Sequence, residues 1–342
     1  QQKYQAEYCT LFNFATLPFY WGAFEAKQGV LDYPRLDRMA EWCAAHGITA
    51  KGHPLIYHEV WPAWASNNPD EAIALLHGRV TDLIRHYKTT IAYWDVINEV
   101  NCAQWYSPSN GECAWIDLDG PAAVVETSLS WARTAAREAG GPPKTFLYND
   151  FDTSAANLAL LSKLQADGKL PDAIGIQSHM HAGTWPLTKV WQVCEAFGKL
   201  GKPLHFTEVT VLSGTSQAST PEGEARQADY VTQFYTLLFS HPSVHAISWW
   251  DMSDHDAWKN APAGLLRSDM SPKPAYTRLQ ELIHTKWWTK AEGMTGADGI
   301  YSTRAFYGDY QITVTAASGK TKMQSIAFPE GAPLLDVTIS LP

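Results

Sequence analysis

Charge is scarce in this chain: only 18% of its 342 residues are Asp, Glu, Lys or Arg. The 26 basic side chains are outnumbered by 35 acidic ones, a net −9. That leaves no basic face for a phosphate backbone, so no nucleic-acid partner is expected. No uncharged apolar run reaches the roughly 18 residues of a membrane-spanning helix, so no membrane partner is expected either. Cysteine, at five residues, is too thin for a disulfide scaffold. Cys102 with Cys113, in a loop-like stretch, and Cys9 with Cys43 are candidate pairs that leave Cys194 alone; the alternative is five small buried thiols. There is no glycine-rich phosphate cradle, no Ser–His pair with a nucleophile elbow, and no internal repeat.

What is plentiful is apolar and aromatic. Hydrophobic residues make up 45% of the chain, with 15 Trp and 15 Tyr. That suffices for a sizeable core, and the aromatic content excludes a disordered chain. An acidic surface with many flat rings fits an uncharged ligand with flat apolar faces, as sugars have. Aromatic cores give the same composition.

Strand-like runs at Leu11–Thr16, Ile48–His53, Ile91–Asn98, Thr145–Tyr148, Ala173–Gln177, Leu204–Glu208 and Val244–Trp250 alternate with helical periodicities. In Asp32–His46, Leu36, Met39, Ala40 and Cys43 share a face, with Asp32 as a cap and Gly47 as the stop. Helical patterns recur at Asp70–Tyr87, Pro121–Ala139, Ser154–Ala166, Leu187–Leu200, Gly223–Ser240 and Pro274–His284. Alternating β and α units predict a parallel sheet, here an α/β (β/α)8 TIM barrel over residues 1–286. The open doubly wound sheet is the alternative. Only seven strands are visible, because Gln1–Cys9 reads as a helix end or a loop. The barrel is therefore expected to lack its first strand here, with that strand upstream in the natural chain or replaced by another segment. Residues 287–342 lose helical periodicity and form a small β-rich extension. Alternation at Tyr310–Ala316 and Leu335–Leu341 predicts two strands, with Gly308, Gly319 and Gly331 as punctuation. So small a piece should dock on the barrel or complete a β-sandwich.

Catalytic groups in such barrels sit where strands end. Those positions carry Asn13, Thr16, His53, Asn98, Glu99, Asn149, Asp150, Gln177, His179, Thr207, Glu208, Trp250, Asp251 and Asp254. Glu99 and Glu208 each end an otherwise apolar strand, where an ionised carboxylate is costly unless paired or hydrogen-bonded. Two carboxylates facing each other across a pocket can hydrolyse a glycosidic bond. Two solvated loop residues at strand exits are the alternative.

Seven motifs in order along residues 11–284 then resemble glycoside hydrolase family 10, the retaining endo-β-1,4-xylanases. Trp94-Asp95-Val96-Ile97-Asn98-Glu99 is similar to the family's W-D-V-V-N-E. Lys51-Gly52-His53-Pro54-Leu55-Ile56-Tyr57-His58 is similar to R-G-H-T-L-V-W-H, and Pro62 and Trp64 follow it as P-x-W. Tyr148-Asn149-Asp150 matches Y-N-D, Ile174 to His179 matches I-G-x-Q-x-H, and Thr207-Glu208 matches the start of T-E-L-D. Trp250 to Trp258 resembles W-G-x-x-D-x-x-x-W, and Pro272 to Tyr276 resembles the end of N-P-K-P-A-Y.

The resemblance implies Glu99 as general acid/base and Glu208 as nucleophile, with carboxyls roughly 5–5.5 Å apart. It implies His179 as the partner of Glu208, Asn98 on the sugar 2-hydroxyl, and His53 and Gln177 on the sugar nearest the cut. Trp250 and Trp258 would be its apolar walls, and Tyr57, Asn13 and Tyr148 further substrate-binding residues. It implies no cofactor, no metal, a xylan or xylo-oligosaccharide substrate, a monomer, and a secreted or periplasmic location. Four departures stand out. The family's E-N-x-x-K run is replaced by Leu17-Pro18-Phe19-Tyr20-Trp21-Gly22, where Phe19, Tyr20 or Trp21 would stack on the sugar instead. Thr210 replaces the aspartate of T-E-L-D, Tyr57 the tryptophan of V-W-H, and Asp251 the glycine after the last strand's tryptophan. Three rival readings remain: a metal-dependent hydrolase using His53, His58, His179 and His181; a non-catalytic carbohydrate-binding barrel; and the same chemistry on another β-linked glycan. The loop Asp251, Asp254, His255, Asp256 binds a cation or a sugar or is solvated. The rings of Trp287, Trp288, Tyr301, Phe306, Tyr307 and Tyr310 form either a carbohydrate-binding module or a structural extension.

Overall fold

The computed structural model describes residues 1–105, 110–214 and 218–341. Two compact units divide the chain, Gln1–Arg278 and Leu279–Pro342. The first begins with α1 (Gln2–Leu11), β1 (Phe14–Pro18), α2 (Trp21–Phe24), α3 (Tyr33–Ala45), β2 (Thr49–His53), α4 (Pro69–His86) and β3 (Tyr93–Asn98). It continues with α5 (Gly111–Asp119), α6 (Pro121–Ala139), β4 (Thr145–Asp150), α7 (Ala155–Ala166), β5 (Ala173–Ile176) and β6 (His179–Met180). Then come α8 (Leu187–Gly198), β7 (Leu204–Val211), α9 (Pro221–Ser240), β8 (Val244–Trp249) and α10 (Pro274–Glu281).

The strands are parallel and run in the order β1-β2-β3-β4-β5-β7-β8, with two-residue β6 continuing the β5 side along β7. This is the (β/α)8 architecture with seven full strands, and no ladder joins β1 to β8 among the described residues. The open side shows in the burial. All eight residues of β7 are buried, whereas β8 is half-exposed throughout. Beside β1, the Tyr8 hydroxyl of α1 donates to Phe14 O at 2.7 Å. A cavity of about 580 Å³ lies there, lined by Tyr4, Tyr8, Ala15, Leu17, Met39 and Trp42 among others.

The helices form where the periodicity places them. In α4, Asn68 caps the Glu71 N–H, Pro69 starts the first turn, Asp70 and Glu71 face the positive helix end, and Arg85 and His86 the negative one. Its Ala72, Leu76, Val80, Leu83 and Ile84 are buried as one stripe, worth roughly 1.5–3 kcal/mol for each large side chain. Buried Arg79 on the same helix donates to Leu55 O at 2.8 Å and to Phe19 O, so it ties down the loops after β1 and β2.

Four expectations are corrected. Asp32 holds the N-cap position of α3 but makes no side-chain cap bond, because its carboxylate takes the Arg35 guanidinium at 2.5 Å instead. All five cysteines are free thiols, with Cys9 exposed and Cys113 half-buried. The stretch around Cys102 and Cys113 is a 3-10 turn (Val100–Trp105) and α5, not a loop. In the second unit the hairpin is β9 (Gly308–Thr315) with β10 (Thr321–Phe328), paired antiparallel, while Leu335–Leu341 belongs to no strand. The hairpin turn needs Gly319 at φ 81°, a conformation that favours glycine.

Candidate active site

The site lies at the carboxyl ends of the strands, and its floor is an ion cluster. On β2, Lys51 Nζ donates to Asp95 Oδ2 at 2.5 Å, and His53 Nδ1 donates to the same oxygen at 2.8 Å. Burial works against an ionised Asp95, but Lys51 and His53 together hold its carboxyl below the ordinary range. With the His53 Nδ1 proton given to Asp95, its Nε2 faces Glu208 Oε1 at 3.9 Å. Strand alternation alone would put Asp95 and Asn98 on opposite faces of β3. A register shift against β4 between Asp95 and Ile97 lets both reach the interior.

Glu99 leaves β3 at φ 57°, a left-handed conformation that costs a non-glycine residue on the order of 1–3 kcal/mol. Its N–H is fixed to Asn149 O at 2.9 Å. Glu99 Oε1 accepts from Gln177 Nε2 at 2.7 Å and from Asn98 Nδ2 at 3.1 Å, and Oε2 accepts from the Tyr57 hydroxyl at 3.0 Å. Burial pushes the Glu99 carboxyl up to about 7; the Gln177 and Tyr57 donors oppose that, while the charges of Glu208 and Asp150 add to it.

Glu208 on β7 has the opposite surroundings. Asn149 Nδ2 donates to its Oε1 at 2.7 Å, and His179 Nε2 lies 2.9 Å from its Oε2. Burial would raise it, but His53, His179 and Lys51 outweigh that and keep it below its usual value. Thr210 Oγ1 meets His179 Nδ1 at 2.8 Å, so a hydroxyl orients the ring where the family motif has a carboxylate. The Asn149 amide is fixed because Thr207 Oγ1 donates to its Oδ1 at 2.6 Å, which turns Nδ2 toward both Glu208 and Asn98 Oδ1, 2.8 Å away. Gly175 makes room for it, since a Cβ there would meet Asn149 Oδ1 at 2.3 Å.

The aromatic walls follow. Trp250 stands edge-on to His53 and His179, at 5.7 and 5.5 Å between ring centroids. Trp258, 44% exposed, lies 4.7 Å from His179 and 5.0 Å from His181, with Lys259 Nζ 4.3 Å from its ring centre. Of the three rings offered after β1, Phe19 packs on Trp94 and Tyr87 in the core, and Trp21 packs on Trp61 and Trp64. Tyr20 alone reaches the site, 5.4 Å from His53 and 6.3 Å from Tyr57.

Two predicted residues are not brought to the site. Asn13 is exposed and precedes β1, at the opposite end of the barrel, because residues through Leu11 belong to α1 rather than to the strand. Tyr148 is fully buried and donates to Asp150 Oδ2 at 2.6 Å; its neighbour Asn149 is the side chain that faces inward. Sequence reasoning placed Asn149 at a strand end without giving it a role, and it missed Lys51 and Asp95 as the support beneath. The signal was there: three ionisable residues on two adjacent apolar strands must satisfy one another. In the last loop, Asp254 pairs with Lys273 and the Gly264 N–H, and Asp251 takes the Trp258 N–H. Both oxygens of Asp254 thus have protein partners, Oδ2 of Asp251 has none, and no cluster of three or more His, Cys, Asp or Glu able to hold a metal occurs among the described residues.

A (β/α)8 barrel with two inward glutamates at the carboxyl ends of its strands is the class that this fold and site define. The family model described as glycosyl hydrolase family 10 matches residues 9–282, and the chain belongs to that family. Among curated proteins it is 26% identical over 328 residues to the anti-sigma-I factor RsgI6 of Acetivibrio thermocellus, covering 94% of this chain and 40% of that protein. It is 23% identical over 287 residues to endo-1,4-beta-xylanase B of Thermotoga neapolitana, covering 78% of each. The fold matches that of xylanase 10B from Thermotoga petrophila, solved in complex with xylobiose, with a TM-score of 0.71 and 22% identity over 83% of this chain and 89% of that one.

Proposed function

We propose that the protein hydrolyses β-1,4-xylosidic bonds within xylan chains by a retaining double displacement. The observation that carries this is the pair of buried glutamates with opposite surroundings: Glu99, gripped by Gln177, Asn98 and Tyr57 and pushed up to about 7 by burial, and Glu208, held by Asn149 and His179 and kept below its usual range. Glu208 attacks the anomeric carbon while Glu99 passes its proton to the departing oxygen. The C–O bond to the leaving sugar breaks, and a covalent glycosyl ester forms at Glu208. Glu99, now ionised, takes a proton from the incoming water, which releases the sugar with its configuration retained. Asn98 and Gln177 face the sugar next to the cut, Trp250 and Trp258 wall it, and Tyr20 supplies the stacking surface where the family's charged run is absent. Xylan is favoured by membership of the family and by the named xylanases among the relatives. A polymeric substrate favours a secreted or periplasmic location, which cell fractionation would check; the monomer that the family resemblance implies would be checked by light scattering.

Similarity along 94% of the chain to an anti-sigma factor favours one second reading: a glycan-binding barrel that serves a regulatory protein. Product analysis on xylan and linear xylo-oligosaccharides separates the two. Xylobiose and xylotriose, released first as the β-anomer, are the expected outcome, with turnover lost in Glu208→Gln at an unchanged melting temperature. Tight binding without any product would instead make the barrel a binder.

A further inference from the structure

The two oxygens of Glu99 are gripped by chemically different partners. Oε1 takes two amide N–H donors, from Gln177 at 2.7 Å and Asn98 at 3.1 Å, and an amide nitrogen cannot accept a proton in return. Oε1 is therefore the carbonyl-like oxygen, and a proton on this carboxyl belongs on Oε2. The partner of Oε2 is the Tyr57 hydroxyl at 3.0 Å, and a phenol both donates and accepts. The tryptophan at this place in the family motif carries a donor-only N–H and has no such freedom.

The backbone explains why Tyr57 arrives there. After β2 the chain runs in step with β3, with Leu55 N–H on Asp95 O at 2.9 Å, Ile56 N–H on Val96 O at 3.0 Å, and Asn98 N–H on Ile56 O at 3.1 Å. The next residue on each side is Tyr57, and then Glu99 beyond Asn98. The Tyr57 ring is itself held between His58, 4.8 Å away, and Tyr20, 6.3 Å away.

We propose that Tyr57 is a positioning residue for proton transfer, keeping the transferable proton on Oε2 of Glu99 and donating to that oxygen once the proton has left. The inference rests on the reading of Glu99 as the acid/base. In the glycosylation step the Oε2–H bond breaks and the proton passes to the leaving oxygen. Tyr57 keeps its own proton and turns it toward the new carboxylate. In the second step water returns a proton to Oε2 and the phenol swings back to accept. The other titratable groups facing Glu99 are Glu208 on β7, Asp150 on β4, Glu112 on α5, Cys102 in the turn that follows β3, and Tyr20 after β1. None of them is cationic, so none offsets the charge of an ionised Glu99 that has lost this donor.

The test is kcat/KM against pH for the wild type, Tyr57→Phe and Glu99→Ala on two aryl β-xylobiosides, one with a phenol and one with a dinitrophenol leaving group. Tyr57→Phe should melt like the wild type and keep its acid limb and KM. Its alkaline limb should move up by about one pH unit, because the ionised Glu99 has lost a donor. It should lose about tenfold on the phenol substrate and little on the dinitrophenol one. Glu99→Ala should lose the alkaline limb and retain rate selectively on dinitrophenol. If Glu99→Ala behaves so while Tyr57→Phe leaves the limb in place and slows both substrates alike, Tyr57 is only a wall and the proposal is overturned. If Glu99→Ala slows both substrates equally, the acid/base reading fails and the proposal falls with it.

Discussion

The two sides of this barrel are built differently. From β3 through β7 the strands are buried almost along their length; Glu208 stands on β7, Glu99 directly follows β3, and Asn149 of β4 lies between them. From β8 to β1 the ladder is open, β8 is half-exposed, and what reaches the site is aromatic: Trp250, Trp258 and Tyr20. Charge placement needs a low-dielectric, fully satisfied wall, because an unmet carboxylate is costly there and its protonation state is set by few neighbours. Stacking on a sugar needs only a ring in roughly the right place. Chemistry therefore belongs to the closed side and substrate grip to the open one.

Substitutions on the closed side should be the most damaging. Lys51→Met leaves Asp95 buried beside His53 without its ammonium, and should cost about 3–5 kcal/mol of stability in a denaturant melt. The pair's contribution is lost in the wild type as pH falls through the lowered pKa of Asp95, so the gap between wild type and variant should narrow in acid. Asn149→Ala removes the donor to Glu208 and the tie to Asn98, and should lower kcat about 10²-fold with a smaller change in KM. On the open side Trp258→Ala should raise KM about tenfold and spare kcat, since its ring is 44% exposed and makes no hydrogen bond to either glutamate among those described. A Trp258→Ala enzyme that lost kcat as deeply as Asn149→Ala would break the contrast between the two sides.

The legibility of the sequence follows the same contrast. Strand ends that carry Glu99 and Glu208 were readable because a carboxylate after an apolar run demands a reason. Seven parallel strands were readable from alternation of periodicities, and among the described residues no ladder joins β8 to β1. What was not readable depended on side-chain direction. Tyr148 and Asn149 are adjacent, and only one of two neighbours on a strand can face the interior. The start of β1 was set three residues too early, because apolar Leu11 and Phe12 close α1 rather than open the strand, and this carried Asn13 to the wrong end. In the second unit, β10 was hidden by polar Gln324 on its half-buried face, whereas Leu335–Leu341 alternates cleanly yet forms no strand, with Lys322 Nζ of β10 donating to Ser340 O at 2.9 Å. The two members of the active-site pair could be named from sequence; their opposite pKa directions could not, because they rest on burial of Glu99 beside the charges of Glu208 and Asp150, and on His53, His179 and Lys51 reaching Glu208 from separate strands.

The most direct test of that division of labour is covalent trapping with a 2-deoxy-2-fluoro-xylobioside bearing an activated leaving group, followed by peptide mass spectrometry. The account predicts one glycosyl unit per chain, esterified to Glu208 and discharged slowly on adding an acceptor sugar. A label on Glu99 or another carboxylate, or steady turnover with no trapped ester and an inverted product, would contradict it.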